Sequence, residues 1–73
     1  DAVCANLFYD LLITNASRIT GRVKLDGVLV IAGILDQQFE EVQNAFEEEG
    51  MCMVRSRKQG EWRSGCFKHI EDL

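Results

Sequence analysis

An asparagine at position 6 closes a stretch of small apolar residues, Ala2-Val3-Cys4-Ala5. A carboxamide in that place can hold a polar group in a fixed orientation, because its oxygen accepts and its nitrogen donates hydrogen bonds. Tyr9, three residues on, reads as a helix-start aromatic that packs on the sheet. Ile34 and Leu35 end a second apolar stretch and can wall a pocket, although such residues more commonly fill a core. Arg55, Arg57, Lys58, Arg63 and Lys68 surround Trp62. Such a set can meet nucleic acid through phosphate contact and stacking. The reading preferred from sequence is a charged edge that discourages strand-to-strand aggregation. A net charge of -4 argues against nucleic acid as a partner of the whole surface and leaves a local basic patch open.

Cys4, Cys52 and Cys66 form no C-x-x-C pair. Cys4 reads as a small buried hydrophobe within its apolar run. Cys52 and Cys66 fall on neighbouring strand candidates, so a bridge between them depends on the hairpin register. Nothing else suggests secretion, and reduced thiols are expected. Cys52, Cys66 and His69 match no zinc spacing, and His69 reads as a surface side chain. No stretch approaches the roughly 20 apolar residues of a membrane span and no signal peptide is visible, so a cytoplasmic protein is expected.

The elements that must position these residues follow from periodicity. Seventy-three residues make one small domain or part of one. An apolar fraction of 47% belongs to a globular chain. Residues 2–7 lack polar alternation, as in a strand covered on both faces. From 8 to 24, Phe8, Leu11, Leu12, Ala16, Ile19 and Val23 recur at helical spacing and predict one helix. Asp26-Gly27 signals a turn, and residues 28–32 predict a second buried strand closed by Gly33. Asp36 is placed to cap a helix over 37–49, with Phe39, Val42 and Phe46 inward and Gly50 as its stop. Three consecutive glutamates, 47–49, oppose the helix dipole and should fray its last turn. Residues 51–57 and 61–67 then predict a hairpin around Lys58-Gln59-Gly60.

The order β-α-β-α-β-β predicts an α/β fold: a mixed sheet with a parallel pair plus a terminal antiparallel hairpin. With no initiator methionine and a buried-strand pattern from its second residue, the chain reads as a single-domain fragment over 1–73, opened within a larger fold.

These stretches resemble the C-terminal half of a class I S-adenosylmethionine-dependent methyltransferase, with its Rossmann-like fold. Within that class they look like the family that methylates ribosomal large-subunit protein L-eleven. Residues 1–7 match the fourth strand, 25–35 the fifth strand, 38–50 the helix after it, and 55–62 the closing hairpin with its Gly-Glu-Trp. Nearly the whole chain is covered.

The resemblance implies methyl transfer from S-adenosylmethionine to an amino group, a lysine of a ribosomal protein. Asn6 would be the catalytic asparagine that orients the nitrogen, with Asn6 and Leu7 beside the cofactor and Tyr9 and Ile34 beside the substrate. Amine methyltransferases carry Asn-Pro-Pro-Tyr at this place; here the asparagine and tyrosine stand without prolines. The family's glycine-rich cofactor loop has no counterpart, since no G-x-G occurs in the chain. The cofactor is therefore expected in the intact enzyme only, with the fragment inactive. The fragment is also expected to self-associate through the bare edge at residues 2–7. Two alternatives stay open: a noncatalytic α/β interaction module, and a methyltransferase acting on nucleic acid or a small molecule.

Overall fold

A computed structural model describes residues 2–5 and 8–73, with the backbone alone at Ala5. Strand β1 spans Ala2–Ala5, helix α1 Tyr9–Thr14, helix α2 Ala16–Arg22, strand β2 Val28–Leu35 and helix α3 Asp36–Glu48. Strands β3, Met51–Gln59, and β4, Trp62–His69, form the hairpin, and a short 3-10 turn covers Ile70–Asp72. The sheet order is β1-β2-β4-β3, with β1 parallel to β2 and the remaining pairs antiparallel. The expected order of elements and the mixed sheet are therefore present. They form the C-terminal part of a Rossmann-like fold.

The buried side chains of the helices and sheet join in one cluster, so the helices share one face of the sheet. Leu12 and Ala16 come from α1 and α2, Leu29, Ile31 and Ile34 from β2, Phe39, Val42 and Phe46 from α3, and Met51 and Phe67 from the hairpin. Spacing of three and four along α3 brings Phe39, Val42 and Phe46 onto one stripe. Phe67 receives both rings, with centroids 6.5 Å from Phe39 and 5.8 Å from Phe46. The other face of the sheet carries Cys4, Val30 and Cys66 in one row across three strands.

Several local expectations are corrected. The predicted helix over 8–24 is two helices with a break at Asn15, whose φ of -105 and ψ of 15 leave the helical region. There Asn15 turns its amide back on its own helix, and Nδ2 donates to the Leu11 carbonyl at 2.8 Å. Phe8 precedes α1 and is 79% exposed, and Leu11 also faces outward, so neither lines the inner face. Cys4 is exposed rather than buried, because it lies on an edge strand on the sheet face away from the helices.

Strand β2 runs past Gly33 to Leu35 through an irregularity between Ile31 and Ile34, with Gly33 at φ 77. The hairpin closes on Gly60-Glu61 rather than on 58–60. Gly60 has a φ of 63 at the first central position, which a type II′ turn needs. His69 is half-buried, with Nε2 2.8 Å from the carbonyl oxygen of Val23, and so ties the end of β4 to the end of α2.

Candidate functional site

Parallel strands β1 and β2 run side by side, with Ala2 opposite Val28 and Ala5 opposite Ile31. Ligands of open α/β sheets bind beyond the carboxyl ends of such strands. Asn6 and Leu7, the candidates for that position, lie outside the described residues. Strand β2 reaches farther than β1. Its bulge at Ala32 and Gly33, both exposed, begins directly after Ile31, the partner of the last β1 residue. Bulges of this kind are common beside active sites, where they re-aim the chain.

Tyr9 opens α1, is half-buried and packs against the core cluster. Ile34 is 2% exposed and belongs to that cluster. In this chain its side chain is a core group, and the strand alternation that buries it turns Leu35 toward a hollow instead. The hollow, about 300 Å3, is lined by Leu35, Asp36, Gln37, Lys58, Gly60 and Glu61.

Asp36 organises that end of the sheet. The sequence suggests it as the helix cap, but Leu35 takes the cap position and Asp36 becomes the first residue of α3. Its carboxylate is drawn away by two cations of the hairpin: Arg63 Nε donates to Oδ1 at 2.6 Å, and Lys58 Nζ lies 3.0 Å from Oδ2. The Asp36 backbone N–H donates to the Glu61 carbonyl at 2.8 Å. Arg63 continues the network by donating from Nη1 to Ser56 Oγ at 2.7 Å, and its guanidinium carbon sits 5.9 Å from the Phe39 ring centroid.

The hydrogen bond from Arg63, then that from Lys58, holds the Asp36 carboxyl below its ordinary value of 3.8. Partly exposed pairs contribute little singly. Together with the backbone bond, these contacts fasten the hairpin tip to the start of α3. Residues 22 and 27 positions apart in sequence meet here, and no local sequence signal marks them.

A second hollow, about 210 Å3, lies on the other face of the hairpin, among Ala32, Gly33, Arg57, Gln59, Trp62 and Ser64. No group of three or more His, Cys, Asp or Glu side chains able to hold a metal ion occurs among the described residues. No helix among them is long and apolar enough to cross a membrane. The cysteines are free, and the register explains why Cys52 and Cys66 do not face each other: Cys52 is opposite Lys68 and Cys66 opposite Arg55.

Comparison with known proteins adds an independent line. The family model described as ribosomal protein L11 methyltransferase (PrmA) matches residues 1–69. The ribosomal protein L11 methyltransferase of Streptococcus agalactiae serotype Ia is 30% identical over the full chain, which spans 23% of that relative's length. The protein of the same name from Desulfotalea psychrophila is 35% identical over 85% of this chain and 21% of its own. Among solved structures, the ribosomal protein L11 methylase of Lactobacillus delbrueckii subsp. bulgaricus superposes with a TM-score of 0.86 at 18% identity, covering 93% of this chain and 35% of that one. The M1.HpyAVI-SAM complex superposes at 0.77 with 14% identity, over 97% of this chain and 45% of that one. Both structural likenesses speak for the fold. The chain spans about a quarter of the curated relatives it matches.

Proposed function

Since the chain belongs to the ribosomal protein L11 methyltransferase family, we propose that it forms the acceptor side of a protein methyltransferase site, incomplete by itself. The observation that carries this reading is the matched sheet end. A parallel pair, β1 and β2, stops beside a bulge and a hairpin tip clamped by Asp36. In the intact protein S-adenosylmethionine would supply the methyl group and a lysine of a ribosomal protein would receive it.

The residues present do not make a site for that cofactor. No paired-glycine loop exists in the sequence, and the Asp36 carboxylate at this end of the sheet is already held by Arg63 and Lys58. What this chain can contribute lies on the acceptor side. Asn6 would accept a hydrogen bond from the amine through its side-chain oxygen and fix the nitrogen's lone pair toward the donor. Such positioning can account for several orders of magnitude in rate. Leu7 would lie beside the cofactor, Tyr9 would support the acceptor from the start of α1, and Ile34 would hold the adjoining wall from the core.

Transfer of tritiated methyl groups tests the reading. The 73-residue chain, incubated with S-adenosylmethionine and ribosomal large-subunit proteins, is expected to transfer no label. The polypeptide extended by its own upstream coding sequence is expected to label a ribosomal protein on lysine. Label transferred by the short chain overturns its inactivity, and none transferred by the extended one overturns the methyltransferase reading.

A further inference from the structure

Strand β2 is bulged where two of its residues face one of β4. Ile31 pairs with Gly65 and Ile34 with Arg63, so Ala32 and Gly33 together oppose Ser64 alone. Ala5, the residue before Asn6 in the chain, is opposite Ile31. The bulge therefore starts beside the end of β1, on the side of the sheet where the parallel strands finish and ligands of such folds bind. An extra residue disrupts the ladder locally, so the ladder by itself does not fix the course of Ala32 and Gly33.

A chain of hydrogen bonds from the start of α3 ends on the one residue that faces them. Asp36 Oδ1 accepts from Arg63 Nε at 2.6 Å, and Arg63 Nη1 donates to Ser56 Oγ at 2.7 Å. The Ser56 hydroxyl in turn donates to the Ser64 carbonyl at 3.1 Å. Arg63 is also the β4 partner of Ile34, where pairing resumes after the bulge. One residue thus closes the bulge by its place in the ladder and braces the facing strand by its side chain. Its guanidinium fork serves two acceptors at once in a fixed geometry, which a lysine ammonium does not hold. Lys58 already lies 3.0 Å from the second Asp36 oxygen, so charge balance alone does not call for the second arm of Arg63. Every member of this network finds its partner within the chain, whatever else covers the sheet.

We propose that Arg63 is a positioning residue for methyl transfer: anchored on Asp36 and acting through Ser56 and the Ser64 carbonyl, it holds the β2 bulge in place beside the acceptor nitrogen. The inference rests on the methyl-transfer reading and deepens it. A small displacement of the backbone that borders a reacting nitrogen is costly in rate, because the lone pair must stay aligned with the donor. An ion pair that only fastened the hairpin would give stability and leave turnover alone.

The upstream-extended polypeptide, assayed with S-adenosylmethionine and ribosomal large-subunit proteins, separates the two roles. Arg63→Lys keeps a cation for Asp36 and breaks the link to Ser56; Ser56→Ala breaks the same link from its other side. Each is expected to lower kcat about tenfold with KM for S-adenosylmethionine and the urea midpoint unchanged. The double variant is expected to lose no more than either single one, because both interrupt one route. Amide exchange at residues 32–34 is expected to quicken in all three. Lys68→Ala, which removes the ion pair with Asp72 at the opposite end of β4, leaves kcat at the parental value.

The inference is overturned if either single variant turns over like the parent, if the two losses multiply, if exchange at 32–34 is unaltered, or if Lys68→Ala is equally slow. A parent that transfers no methyl group overturns the methyl-transfer reading as well, whereas an active parent with unimpaired variants overturns this inference alone.

Discussion

A methyl group added at Gly65 would lie 2.7 Å from Cζ of Phe39 and 3.1 Å from the Met53 sulfur. The glycine thus lets α3 approach the sheet, and its substitution by alanine must displace a ring packed at 2% exposure. Gly65→Ala is expected to destabilise the chain by about 1–3 kcal/mol, read from urea unfolding at constant slope. Thr20 makes the opposite case. Its hydroxyl is buried with no hydrogen-bond partner among the described residues, and the residue is 7% exposed. Thr20→Val removes an unsatisfied group at similar shape and is expected to raise stability by about 1 kcal/mol. At Asn6 the measurement is kinetic: Asn6→Ala in the upstream-extended polypeptide is expected to lower kcat about a hundredfold with KM little changed.

Helix α3 joins both ends of the hairpin, and its charges act oppositely at its two termini. At the start, Asp36 suits the dipole and binds Arg63 and Lys58; the last turn has no basic residue and carries Glu47 and Glu48. Glu48→Lys is expected to stabilise the helix end by about 0.3–1 kcal/mol, seen as slower amide exchange in the last turn. The lowered Asp36 pKa fixes a pH dependence. Stability from this contact is fully present above 3.8, the ordinary value, and is lost as pH falls through the lower folded value. Asp36→Asn should flatten that acid limb of the unfolding curve. Lys68, raised above 10.5 by its hydrogen bond to Asp72, behaves in the reverse sense. Its contribution is present below 10.5 and lost as pH rises through the folded value.

For the molecule as a whole, the distribution of helices decides what is left open. They cover one face, while Cys4, Val30 and Cys66 line the other and β1 pairs on one side only among the described residues. An unpaired apolar edge is a template for another strand. Self-association through residues 2–5 is therefore expected at high concentration, and a Cys4→Lys substitution, at an exposed position of that edge strand, should suppress it in light scattering. A parent chain that stays monomeric throughout would count against the edge as the contact.

Periodicity and turn chemistry determined much of this protein from sequence. The apolar run of β2, the stripe of Phe39, Val42 and Phe46, the stop at Gly50 and the glycine turn at Gly60 are local preferences of residues close together in the chain. The family was legible for the same reason, as an ordered set of such elements. The break at Asn15, the bulge at Gly33 and the exposure of Cys4 were not, because each depends on what the rest of the chain packs against or leaves bare. Only the tertiary structure could move Asp36 from helix cap to clamp. A carboxylate chooses between its own helix and a distant cation by distance in space, and the separation of 27 positions between it and Arg63 carries no record of that distance.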